Sequence, residues 1–356
     1  MSTRIHGGNI QETVRRYDLS ERNIIDFSSN VNPLGVSPAA KRAAGKALSR
    51  LDRYPDSTST ELRKAVARYF GIKPDQVLCG NGSTAIIHLL PRAFRPKKVL
   101  IPLPTFSEYA AAAEDAGAEV VPLPLDERAG FRLDPVEVSL ALKGVDMAFL
   151  CNPNNPTGRL VPKAEMAEIA EHAEREGATL VVDESFMDFD DADTFVKEAI
   201  QKPHVVCLRA FTGLFGLAGL RAGYAVANDE IIGGLRAAQE PWTVSAPAEQ
   251  AAIAALRDWW FVKRTRKLIA EERDRLLSEL RLLPGVEPFP ASANFVFVKL
   301  ASMDSVTLTE KLALRGLLIR DCSSFPGLGR RFVRIAVRTR RENKQLIKAL
   351  REILIP

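Results

Sequence analysis

The chain has 356 residues, 46% hydrophobic and 26% charged, and its 49 lysines and arginines against 44 aspartates and glutamates give a formal net charge of +5. This composition excludes a disordered chain and gives no reason to expect a nucleic-acid binder, while the length suits a large domain with a smaller companion. No signal-peptide core opens the chain and no apolar run approaches the ~20 residues of a membrane span, so a cytoplasmic protein with no membrane partner is expected.

In chain order, the first 40 residues show turn signals such as NPLG at 32–35 and little periodicity. They are expected to pack as an arm on the smaller unit or on a partner. From about residue 62, helical patterns alternate with apolar runs: QVLCG at 76–80, KVLIP at 97–101, MAFLC at 147–151, TLVVD at 179–183 and HVVCL at 204–208. That alternation predicts an α/β fold with a mainly parallel sheet. The large domain is expected over 45–245, with 1–44 and 246–356 forming the arm and a small α+β domain. Residues 246–282 read as one long helical stretch, with Trp259 and Trp260 in core or interface packing. NFVFV at 294–298, GLLIR at 316–320 and FVRIAV at 332–337 are further strand candidates. Between 338 and 351, Arg340, Arg341, Lys344, Lys348 and Arg351 interleave with Leu346, Ile347 and Leu350. An amphipathic terminal helix accounts for this better than a nucleic-acid patch.

Cys79, Cys151, Cys207 and Cys322 are far apart and form no CxxC pair, so neither zinc nor a disulfide framework is indicated. No metal is expected. Several strand candidates end in polar or glycine-containing loops, which is where open α/β sheets gather ligands. Asp183 closes TLVVD at such an end, although an aspartate there also suits a metal, a helix cap or a histidine. Asn155 lies in NPNNPTG, whose residues suit a tight bend. GNGST at 80–84 opens a predicted helix, and free N–H groups there favour a phosphate. A plain turn capped by Ser83 or Thr84 explains the same residues.

Taken together and in this order, the segments HGGN (6–9), DFSSNVNPLG (26–35), RYPD (53–56), PTFSEY (104–109), CNPNNPTG (151–158), VVDESFMDF (181–189), FGLAGLRAGY (215–224), PW (241–242), SANF (292–295) and LIRDCSSFPGL (318–328) resemble fold-type I pyridoxal-phosphate enzymes of the aminotransferase superfamily. HGGN and IRDCSSFPGL point to the threonine-phosphate decarboxylases of cobalamin biosynthesis, which are related to the histidinol-phosphate aminotransferases.

The resemblance implies pyridoxal 5′-phosphate as cofactor, a phosphorylated amino acid as small-molecule substrate and a homodimer. It implies that Asp183 holds the pyridine nitrogen, Asn155 the ring 3′-oxygen and Phe106 the ring face. Ser83, Thr84, Thr212 and Arg221 would hold the cofactor phosphate, joined by Tyr54 from the second subunit. Arg334 would clamp the substrate carboxylate, with His6, Asn32, Arg320 and Arg338 as candidates for its phosphate. Arg334 also reads as a surface arginine on a strand.

The family's R-S-F-T-K-x-F-G-L-A-G-L-R stands here as Arg209 through Arg221 without a gap, and Gly213 occupies the position of the Schiff-base lysine. Ala210 replaces a serine, and Ala85 stands where an acidic residue is common. The cofactor is then expected to be held non-covalently or as an external aldimine. Three activities follow from the resemblance: a threonine-phosphate decarboxylase forming aminopropanol phosphate, an aminotransferase of the histidinol-phosphate type, or a weakly catalytic homologue that binds ligand.

Overall fold

The structure is a computed structural model and describes residues 7–189 and 194–355. Strand β1 is Ile25–Asp26. Then come β2 (Val77–Gly80), β3 (Lys98–Leu103), β4 (Glu119–Pro124), β5 (Met147–Cys151), β6 (Thr179–Asp183), β7 (Val205–Ala210) and β8 (Gly223–Val226). The last seven form one sheet in the order β2-β8-β7-β6-β5-β3-β4, in which β8 runs opposite to the other six. The fold is therefore α/β with a mostly parallel central sheet. Strands β5 and β7 are buried along their whole length. That is why they read as unbroken apolar runs, since helices cover both faces.

The remaining strands are β9 (Val286–Pro288), β10 (Phe295–Leu300), β11 (Leu317–Leu318), β12 (Arg320–Asp321) and β13 (Phe332–Ala336). Antiparallel pairing orders four of them as β12-β13-β10-β9. The N-terminal segment joins this smaller unit: β1 pairs with β11, and Ala336 N–H donates to the Phe27 carbonyl. GLLIR thus becomes two short strands in two different sheets.

Residues 246–282 are two helices, Ala246–Arg257 and Trp259–Arg281, and not the single one expected. Asp258 ends the first and caps the second, its carboxylate accepting from Phe261 N–H at 3.2 Å. Aspartate favours such caps because it satisfies a helix donor that has no internal partner. Trp259 and Trp260 are 56% and 65% exposed and stack on each other at 3.9 Å, so they are not core residues. The tail forms the helix Arg340–Leu354, opened by a capping box between Thr339 and Glu342. Leu346, Ile347 and Leu350 are buried, while the five basic residues face outward.

Candidate active site

The site lies at the carboxyl ends of β2, β5, β6 and β7. After β2 the chain turns through Gly82, at φ +79°, into the helix Gly82–Phe94, whose start carries no side-chain cap. Two glycines let other groups close on it. A Cβ on Gly223 would lie 2.3 Å from Ser83 N, and one on Gly82 would lie 2.5 Å from an Arg221 guanidinium nitrogen. Helix donors and a guanidinium therefore share one corner, which suits an anion with several oxygens. The Gly223→Ala protein should lose about 1–3 kcal/mol of stability through this overlap, read as a lowered denaturation midpoint.

Asp183 ends β6 and is 3% exposed. Its Oδ2 accepts from the Tyr109 hydroxyl at 2.7 Å, and its Oδ1 accepts from Ser185 N–H at 2.9 Å and the Ser185 hydroxyl at 2.5 Å. Burial raises its pKa above the usual carboxylate value, and these hydrogen bonds pull the other way. Burial likewise pushes up the Tyr109 hydroxyl and the Cys151 thiol, so both stay protonated. An ionised Asp183 would gain from a cationic donor arriving in the cavity.

Asn155 Oδ1 accepts from Arg334, which leaves the amide nitrogen as the group Asn155 can donate. Arg334 also donates to the Ser28 carbonyl at 2.7 Å and lies over the Phe295 ring. It is 6% exposed and, among the described residues, has no carboxylate in salt-bridge contact, and burial lowers its pKa to about 10. Arg320 on β12 donates to the Ser324 hydroxyl at 2.8 Å and rests over Phe325. Below the site, buried Arg209 bridges Glu184 and Asp188 at 3.3 Å each. Removing one partner from such a buried group typically costs about 3–5 kcal/mol, which marks it as a brace under the 211–213 loop.

Ser83, Thr84, Phe106, Tyr109, Asn155, Asp183, Ser185, Thr212, Gly213 and Arg221 line one cavity of about 170 Å³. A wider cleft of about 1220 Å³ shares Phe106, Asn155, Phe186 and Thr212 with it, and adds Asn30, Arg320, Ser324 and Arg334. All the chain's lysines fall among the described residues, and none lines either cavity.

Seven of the expected cofactor residues thus meet around one space. Tyr54 does not: it is 81% exposed and stacks on Trp242 at 4.7 Å. Of the candidates for the substrate phosphate, Asn32 lines neither cavity: its side chain donates to the Leu214 carbonyl and the Thr265 hydroxyl and accepts from Leu34 N–H. With that amide buried and satisfied, Asn32 is a strut under the 213 loop. Arg338 is held by Glu342 at 2.9 Å and by the Asp26 carbonyl, outside the walls of both cavities. His6 lies outside the described residues. Sequence reasoning gave no role to Tyr109 or Ser185, although both stand in quoted segments, at three residues from Phe106 and two from Asp183.

The family model for aminotransferase class I and II matches residues 22–350, and the chain belongs to that family. It is 34% identical over 351 residues to the threonine-phosphate decarboxylase of Salmonella typhimurium, covering 98% of this chain and 96% of that protein. Identity with the histidinol-phosphate aminotransferase of Methanopyrus kandleri is 33%, covering 98% and 93%. Among solved structures, the histidinol-phosphate aminotransferase of Clostridium acetobutylicum matches with a TM-score of 0.86 at 32% identity, over 92% of this chain and 98% of that one. The L-threonine-O-3-phosphate decarboxylase of Porphyromonas gingivalis gives 0.84 at 28% identity, over 93% and 99%.

Proposed function

We propose that the chain is a pyridoxal-phosphate protein of the threonine-phosphate decarboxylase type, acting on a small phosphorylated amino acid. The observation that carries this is the convergence on one cavity of a buried carboxylate, Asp183, and an anion corner made by the start of the 82–94 helix and Arg221. Asp183 would keep the ring nitrogen protonated, Asn155 would donate to the ring oxygen, and Phe106 would cover a ring face. Ser83, Thr84, Thr212 and Arg221 would hold the phosphate. When bound, the cofactor supplies an electron sink beside the substrate's α-carbon. Arg334 offers a planar guanidinium, held by Asn155 and the Ser28 carbonyl and not by a carboxylate among the described residues, for the substrate carboxylate, a pairing that lysine would not reproduce. Arg320, with Ser324 beside it, would take the substrate phosphate.

Tyr54 serves a homodimer in this reading. Its exposed stack with Trp242, and the exposed Leu48 and Leu51, support an interface there. The four free, buried thiols support a reducing cytoplasm, and no helix among the described residues is long and apolar enough to cross a membrane.

A second reading, a ligand-binding homologue with little turnover, is favoured by one observation: no lysine lines the cavities. Proton transfer by a placed side chain contributes about 10²–10⁴-fold, and Tyr109 and Cys151 are poor substitutes because burial holds their protons on. Incubation with pyridoxal phosphate and L-threonine O-3-phosphate tests the reading. Slow carbon dioxide release without keto acid supports the decarboxylase, and keto acid would favour the aminotransferase. If tryptophan fluorescence reports binding while neither product forms, the second reading holds.

The raised pKa of Asp183 has a sign that can be checked. The ionised carboxylate is the form that pairs with a protonated ring nitrogen, so cofactor affinity should fall as acidification protonates Asp183, at a higher pH than for an ordinary carboxylate. A binding titration across pH reads this. Affinity that is flat into the acid range would remove Asp183 from the ring contact.

A further inference from the structure

Trp259 and Trp260 open the helix Trp259–Arg281 and are 56% and 65% exposed. Their rings stack at 3.9 Å with 24° between the planes, so each spends one face on the other and the pair stays exposed as a single apolar wedge. The charges around it have one sign. From Arg257 to Lys267 the exposed charged side chains are Arg257, Lys263, Arg264 and Lys267, and the last three follow Trp260 at the spacing of one helix face. Among the described residues Arg257, Lys263 and Arg264 make no ion pair, and Lys267 reaches only Glu271, at 3.9 Å. The basic face continues onto a second helix. Asn343 donates to Glu272 at 3.2 Å and Arg351 to Glu279 at 2.6 Å, so the helix Arg340–Leu354 lies alongside and runs parallel. Its N-terminal end adds Arg340, Arg341 and Lys344, all exposed and without an ion pair among the described residues. None of these residues lines the cofactor cavity or the wider cleft.

We propose that this face, the Trp259–Trp260 wedge with the basic residues of both helices, docks on an anionic lipid surface. Charge complementarity selects an anionic occupant, and the wedge selects lipid, because an indole has an apolar body and one N–H donor that are both satisfied at the headgroup boundary. A nucleic acid would ask for ring faces open to its bases, and these rings spend theirs partly on each other. Adsorption of this kind needs no helix that crosses the bilayer, so the lack of a spanning run behind the expectation of no membrane partner does not oppose it.

Sedimentation of the full chain with vesicles tests this, using phosphatidylcholine alone and equal parts of phosphatidylcholine and phosphatidylglycerol. The wild type should bind the anionic vesicles about tenfold tighter or better and lose that advantage at high salt, which screens exposed charges. Its fluorescence should shift to the blue on binding, since two of the three tryptophans lie in the wedge. Trp259→Ala/Trp260→Ala and Lys263→Glu/Arg264→Glu should each weaken anionic binding about fivefold or more. Equal binding to both vesicles, or binding to neither, would overturn the proposal. Double variants that bind as the wild type does would place the contact elsewhere and overturn it too. If no vesicle is bound, and light scattering finds a larger oligomer for the wild type than for Trp259→Ala/Trp260→Ala, the face belongs to a second copy of the chain. The wild-type comparison decides the matter even if a variant folds poorly.

Discussion

The Gly213→Lys protein is expected to form a borohydride-reducible imine with pyridoxal phosphate and to gain about 10²–10⁴-fold in turnover of threonine phosphate, the usual contribution of a placed acid–base group. Gly213 lines the same cavity as Asp183, Asn155 and Arg221, so an amine on its side chain enters between them. Gly213 is not among the residues with positive φ, so a side chain brings no left-handed strain. The one tight contact is its Cβ against the edge of Phe189 at 3.0 Å, and a ring has to give by only a few tenths of an ångström there. Absorbance, intact mass and a carbon dioxide assay read the outcome. An imine without a gain in turnover would assign the deficit to Ala210 and the phosphate corner.

Asp183→Asn is expected to weaken pyridoxal phosphate binding by about 10–100-fold, the loss of one charge-assisted hydrogen bond of ~1.5–3 kcal/mol. Folding stability should not fall with it. Burial raises the pKa of this carboxylate by penalising its ionised form, and a neutral amide carries no such penalty. Calorimetry with the cofactor and a thermal melt without it separate the two effects. Equal losses in both would make Asp183 a structural residue and nothing more.

The sheet was legible where burial made it so. Strands β5, β6 and β7 are shielded on both faces and read directly as apolar runs. Strand β4 was not: it carries Pro122 and Pro124 and is half exposed, as suits an edge, where a missing N–H is tolerated. Strand β8 is only four residues and begins inside the glycine-rich segment FGLAGLRAGY, which hides its apolar pattern. The break at Asp258 was hidden because helical patterns run on both sides of it.

At the site, Asp183 ends a strand, Ser83 and Thr84 open a helix, and Asn155 lies in the turn after β5; such positions stand out in a sequence, and these four line one cavity. A side chain already engaged across the fold does not stand out. Asn32 has the composition of a ligand residue, yet it is consumed by Leu214, Thr265 and Leu34, contacts as distant as 233 positions along the chain. Ser185 and Tyr109 became visible only when Asp183 was seen to accept from both.

The central claim is a cradle for the phosphorylated ring that holds it without a covalent bond. Its most direct test is the absorbance spectrum of the protein with pyridoxal phosphate before and after borohydride, followed by intact mass. Saturable binding, no lasting imine band and an unmodified mass are expected. A reduced adduct on any lysine, or no binding at all, would contradict it.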